Sequence, residues 1–172
     1  GRRLRDVVAQ LPQTEPVYRV QRWNAVLRRR QADLDRIHVG QIRWYDSDSR
    51  NSAGKPLPPK LLHRARSGVQ IGQGNHSLRW PDPDVLIRST NDLLILHVPL
   101  RGYRHYERKI QQGGRAYAAN PDLPASIGYT WRQDHLHYLA GDLPKRWREQ
   151  LLPRQAWQSG RRSGRFRQPP NS

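Results

Sequence analysis

Apolar residues follow two rhythms along this chain, and the change from one to the other organises its reading. Leu4, Val7, Val8 and Leu11 recur at the spacing of one helix face, and Pro12 closes the run, which predicts a short amphipathic helix. Val17, Tyr18 and Val20 follow Pro16 and favour β-structure, so 16–23 reads as a strand. Residues 24–37 stay ambiguous: Val26, Leu27 and Leu34 suit a helix, but Arg28, Arg29 and Arg30 sit side by side. Val39 to Tyr45 reads as a second strand, and 46–59, rich in Ser, Asn and Pro, as a loop. Lys60 to Ala65 and Val69 to Gly72 read as short strands joined at Ser67-Gly68. Val85 to Ile87 and Leu93 to Val98 read as two more, separated by polar Thr90, Asn91 and Asp92. The second, LLILHV, is a continuous apolar run that suits a sheet covered on both faces.

After Pro99 the period becomes helical. Tyr103, Tyr106, Ile110 and Tyr117 share one face, with Gly113-Gly114 interrupting it. Ile127, Trp131, Leu136 and Leu139 predict a second helix that ends at Gly141, and Pro144 to Leu152 a third, with proline at a favourable early position. Strands come first and helices last. The expected class is therefore α/β, without internal repeats.

Composition narrows this further. The 172 residues carry 31 Lys+Arg against 14 Asp+Glu, a net charge of +17, and only 4 of the basic residues are Lys. There is no Cys, which excludes a disulfide framework, a thiolate zinc site and a cysteine nucleophile. No apolar run reaches membrane-spanning length. Arg2, Arg3 and Arg5 have no apolar stretch behind them, so they do not form a signal peptide. The chain opens on Gly1 and lacks Met, as a processed chain or a fragment would. Residues 154–172 hold five Arg and no acid, and 159–172 are Gly-, Pro-, Ser- and Arg-rich, which predicts a disordered basic tail. Such a tail is either simply solvated or touches an anionic membrane surface or nucleic acid.

Few side chains suggest chemistry by themselves. Asp46-Ser47-Asp48 is a D-x-D pair of the kind that shares a divalent cation, but in a Ser/Asn-rich loop beside Arg43 and Arg50 a solvated turn is the simpler reading. Gly72-Gln73-Gly74-Asn75-His76 combines glycines that allow close backbone approach with Asn75 and His76, a polar handle and a possible ligand or proton carrier; a Gly-rich turn explains it equally well. His97 interrupts an apolar strand just before Pro99, where α/β sheets place ligand sites, although a satisfied core histidine is the common alternative. His135 and His137, two apart on a helix, point away from each other.

Four stretches together resemble the C-terminal half of bacterial family 2-like glycosyltransferases of the GT-A fold. They are GRRLRDVVAQLP (1–12), GKPLPPKLLHRARSGVQIGQGNHSL (54–78), LLILHVPLRGYRHYERKIQQGGRAYAANPDLP (93–124) and GYTWRQDHLHYLAGDL (128–143); the second and third are the specific ones. The resemblance implies the C-terminal part of a GT-A-like mixed sheet followed by two or three helices. It divides the chain into an acceptor-side half (1–100), a helical segment (101–153) and the basic tail (154–172). It implies transfer of a sugar from a nucleotide-sugar donor to a glycan or lipid acceptor, with a divalent metal, Mn²⁺ or Mg²⁺, bridging the diphosphate. The donor-binding half and its acidic metal motif would precede Gly1, so this fragment would be inactive alone. By the same resemblance His97 is the metal ligand, Gln73, Asn75 and His76 lie near the substrate, and Arg101 and Lys109 face a diphosphate. The location implied is cytoplasmic, peripheral to the inner membrane. No residue is singled out as the catalytic base, although Asp92 and Glu107 are available. The competing reading is a nucleic-acid-binding protein that contacts phosphates through dispersed Arg; it predicts one continuous Arg face with exposed Trp.

Overall fold

The computed structural model describes residues 3–31, 37–50 and 56–170, with the side chain of Gln73 outside that set. Leu34 and the start of the 54–78 stretch therefore lie outside the described residues. In chain order the elements are α1 (Leu4–Gln10), β1 (Val17–Ala25), β2 (Tyr45–Asp46), β3 (Lys60–His63), β4 (Gln70–Ile71), β5 (Leu78–Arg79), β6 (Ile87–His97), α2 (Tyr103–Ala118), α3 (Tyr129–Leu139), α4 (Leu143–Glu149), α5 (Arg154–Arg162) and β7 (Phe166–Arg167). The class is mixed α/β. No helix among the described residues is long and apolar enough to cross a membrane. Contacts divide the chain into two compact units, one from Gly1–Asn24, Ser47–His97 and Pro170–Ser172, the other from Ala25–Asp46 and Val98–Pro169.

The first unit is built around β1. Tyr18 and Val20 are buried while Arg19 and Gln21 face outward, as a period of two requires; Val17, on the parity of Arg19, is buried as well. β3 pairs with β1 antiparallel, Val17 opposite His63 and Val20 opposite Lys60. β6 pairs with β1 parallel on its other side, so the sheet is mixed. The two strands expected at 85–87 and 93–98 are one. The ladder runs from Val20↔Thr90 directly to Gln21↔Leu94, so Asn91, Asp92 and Leu93 bulge out instead of ending the strand. Thr90 Oγ1 accepts from the Asp92 N–H at 3.2 Å, which supports the bulge locally. The strand at 70–71 pairs with β5 rather than with β3.

The second unit holds the helices. Its buried side chains include Tyr106 and Ile110 of α2, Leu143 and Trp147 of α4, and Leu151. Tyr106 and Trp147 pack with ring centroids 5.6 Å apart. α2 runs unbroken through Gly113-Gly114. A Cβ at Gly113 would fall 2.1 Å from the Trp131 ring and one at Gly114 2.1 Å from His135, so both glycines mark where α3 closes on α2. α3 departs from its predicted face. Leu136 and Leu139 are exposed and Asp134 is buried, held by Arg146 of α4 at 2.8 Å. The strand expected at 39–45 is a short 3-10 turn over Val39–Gln41 followed by β2 alone.

Among its described residues, 154–170, the expected disordered tail is ordered. Residues 154–162 form α5, and Phe166–Arg167 form β7, which pairs antiparallel with Tyr45–Asp46. Arg165 grips the Asp46 carboxylate with two hydrogen bonds, Nε at 2.8 Å and Nη2 at 2.6 Å. Phe166 is buried against Gly160, where a Cβ would meet its ring at 2.2 Å. Average composition hides these specific contacts, which repay the ordering entropy that a Gly/Ser/Arg-rich segment otherwise cannot offset.

Candidate functional site

The Gly72–His76 loop of the first unit has a defined geometry. Gly74 and Asn75 both adopt positive φ, +67° and +56°. Glycine does so freely, and Asn is among the few other residues that tolerate it. Gly72 is tightly packed, since a Cβ would lie 2.1 Å from Ser77 Oγ and 3.2 Å from the Ser77 carbonyl oxygen. Asn75 Nδ2 donates to the Leu61 carbonyl at 2.8 Å, clipping the loop onto β3. His76 Nδ1 lies 3.0 Å from the Pro59 carbonyl, which can only accept. The proton therefore sits on Nδ1, and Nε2 is the acceptor facing Lys60 Nζ at 3.4 Å. Lys60 Nζ also donates to the Gly74 carbonyl. His76 thus orients a lysine.

That lysine has a cationic neighbour. Arg22, on β1, lines a cleft of about 320 Å³ together with Gln21, Trp23, Pro59, Thr90 and Asn91 among others. Its Nε and Nη2 are buried and have no hydrogen-bond partner among the described residues. Burial lowers the pKa of Arg22, and burial followed by the charge of Arg22 lowers that of Lys60. Two cations that repel each other, one with desolvated donors and no acceptor, form an arrangement that an anion would relieve.

His97 belongs to a different part of the same sheet. It pairs with Asn24 across β6 and β1, and its Nδ1 lies 2.8 Å from Asn24 Oδ1. Lys60 opposes Val20 on the other side of β1. Four residues along a strand and two strand spacings across put the backbones of Lys60 and His97 about 16 Å apart. The sheet register therefore does not gather His76 and His97 into one cluster. Asn24 gives His97 the second-atom support that metal-bound imidazoles use. Yet among the described residues no group of three His, Asp or Glu side chains could hold a metal ion.

Arg101 and Lys109 belong to the second unit. Arg101 Nη2 lies 3.1 Å from His105 Nε2. Lys109 donates to the Pro99 carbonyl at 3.2 Å and lies 4.9 Å over the Trp131 ring, and burial lowers its pKa. Its described contacts tie the start of α2 to α3. Asp92 accepts from Thr90, and Glu107 from the Tyr103 hydroxyl at 3.3 Å. Sequence reasoning missed Arg22 and Lys60. Both carried the same faint signal, a charged residue inside a predicted strand; the role of Lys60 depends besides on where the Gly-rich loop folds.

No protein-family model, no curated protein and no solved structure matches this chain.

Proposed function

We propose that this chain carries part of a nucleotide-sugar-dependent glycosyltransferase, and that Arg22 and Lys60 contribute the cations for the donor's diphosphate. The observation that carries this reading is the pair of buried guanidinium nitrogens of Arg22, without a hydrogen-bond partner among the described residues, on a side chain that lines a cleft and whose charge acts on Lys60. A guanidinium fork and an ammonium are the two side-chain types suited to phosphate oxygens. In sugar transfer an acceptor hydroxyl attacks the anomeric carbon and the nucleoside diphosphate departs with the bonding electrons. Charge grows on the leaving diphosphate, and fixed cations in a partly dry cleft stabilise it most at that moment. His76 and Asn75 are positioning residues: one aims Lys60, the other fixes the loop that Lys60 bridges to. No step is derived through a metal or a catalytic base.

Isothermal titration with UDP and GDP tests the reading. Arg22→Gln and Lys60→Gln should each weaken binding by about tenfold or more, the cost of a lost charge-assisted contact, with unchanged circular dichroism. Nucleotide binding whose affinity and stoichiometry both ignore the two substitutions, or no binding by the unsubstituted chain, overturns it.

A further inference from the structure

A second cationic site lies wholly within the other unit. Trp44 and Trp157 meet edge to face, with ring centroids 6.3 Å apart and planes at 84°. Arg28 sits over the Trp157 ring at 4.5 Å. Arg161 serves both rings, 4.4 Å from the centroid of Trp44 and 5.0 Å from that of Trp157. Beside this stack is a hollow of about 390 Å³, with Arg28, Arg30 and Arg43 in its lining and Gln31 and Gln41 as neutral hydrogen-bonding groups. None of its nine described lining residues is acidic. Two further hollows also share Trp157, one of about 340 Å³ with Arg161 and Arg162, the other of about 460 Å³ with Arg28, Arg29, Arg30 and Arg154.

The chemistry selects among anionic ligands. A guanidinium lying over an indole is held in place by the ring while its in-plane N–H groups stay directed outward, so less entropy is lost when it forks onto an oxyanion. Several such cations around one hollow, with no carboxylate among its described lining residues, repel one another, and a multiply charged anion removes that repulsion. Guanidinium groups already cover the Trp44 and Trp157 rings, which makes them poor platforms for stacked bases. α5, with Ala156 and Trp157 as its apolar residues, offers no stripe to bury in acyl chains. What remains to be recognised is the phosphate itself.

We propose that the hollow lined by Arg28, Arg43, Trp44 and Trp157 binds a compact phosphate group, a phosphomonoester or diphosphate, carried by a soluble compound or by a lipid headgroup. The site is independent of the cleft at Arg22, and the experiment is arranged to keep the two apart. Inorganic pyrophosphate is titrated into the full chain carrying Arg22→Gln, with tryptophan fluorescence and calorimetry as readouts. Saturable binding with a fluorescence change is expected. Adding Arg28→Gln and Arg43→Gln together should weaken it by about tenfold or more, while Arg108→Gln, which removes a charge outside the lining, should leave it within about twofold. Trp157→Phe should abolish most of the fluorescence change. Should the double variant fail to fold, phenylglyoxal modification mapped by mass spectrometry replaces it: pyrophosphate should protect Arg28 and Arg43 but not Arg108. Phosphatidic acid vesicles distinguish the sources. Co-sedimentation displaced by pyrophosphate assigns the site to a headgroup; pyrophosphate binding without co-sedimentation assigns it to a soluble phosphate. The proposal is overturned if pyrophosphate does not bind, if Arg108→Gln weakens binding as much as the paired substitution, or if the chain holds RNA that pyrophosphate does not displace.

Discussion

Replacing Phe166 with alanine would test whether the C-terminal segment is an integral part of the second unit. The ring is buried and rests directly on Gly160 of α5, while its own backbone pairs with Asp46. Deleting a buried phenyl ring costs about 3–5 kcal/mol. β7 is only two residues long and can relax toward the gap, so the low end, about 3 kcal/mol, applies here. With a urea m-value of about 1–3 kcal/mol/M, the midpoint should fall by about 1–3 M. The assay is a urea titration read by amide exchange across α5 and β7, run beside limited trypsin digestion. Arg161, Arg162, Arg165 and Arg167 make the segment rich in trypsin sites, so it should resist cleavage when folded and become the first point of attack in the variant. The reasoning fails if the substitution changes stability by less than about 0.5 kcal/mol, the scale of an ordinary surface change. It also fails if trypsin cuts the unsubstituted chain there as fast as an unfolded peptide.

Two further outcomes follow from the second unit. Gly114→Ala should lower stability by about 1–2 kcal/mol, because overpacking against His135 outweighs the roughly 1 kcal/mol of helix propensity that alanine brings; Gly40→Ala, with nothing within 4 Å of its Cβ, is the near-neutral control, and thermal melts of both decide the matter. His105 is held below its ordinary pKa, first by burial, then by Arg101, Lys109 and Arg108. A histidine depressed in the folded state adds stability that is complete above the unfolded value of about 6.5 and is lost as pH falls through the folded one. The urea midpoint should therefore drop on acidification below neutrality, and His105→Gln should flatten part of that slope; an unchanged slope refutes the assignment.

Much of the architecture could be read from residue patterns, and the exceptions have physical causes. α1, β1 and α2 follow from their apolar spacing, and α4 from its early proline. The single strand β6 does not, because a polar Thr-Asn-Asp interruption looks the same whether the chain turns or bulges, and only the partner strand decides. Gly113-Gly114 reads as a helix break until Trp131 and His135 are seen filling the space. The face of α3 was misassigned because Asp134 is buried through a partner, Arg146, twelve residues away. In the Gly-rich loop, Asn75 and His76 were visible as candidates. Their link to Lys60, and Lys60's to Arg22, depends on the antiparallel pairing of β3 with β1, which no local spacing encodes. His97 and His76 were joined by family resemblance rather than by register, and the register separates them.

The placement of β1 between β3 and β6 has a cost in time. Val17 takes its partners from His63 and Ile87, made some 45 and 70 residues later. At synthesis rates of about 5–20 residues per second, the strand waits about 4–14 s for its parallel neighbour. During that interval Val17, Tyr18 and Val20 lie on an unpaired backbone that any other nascent strand can take as a template. Arg19 and Arg22, set among them, are the kind of charge that discourages such pairing. Arg22 would then serve twice: first as a solvated guard on an exposed edge, later as a cation withdrawn from water.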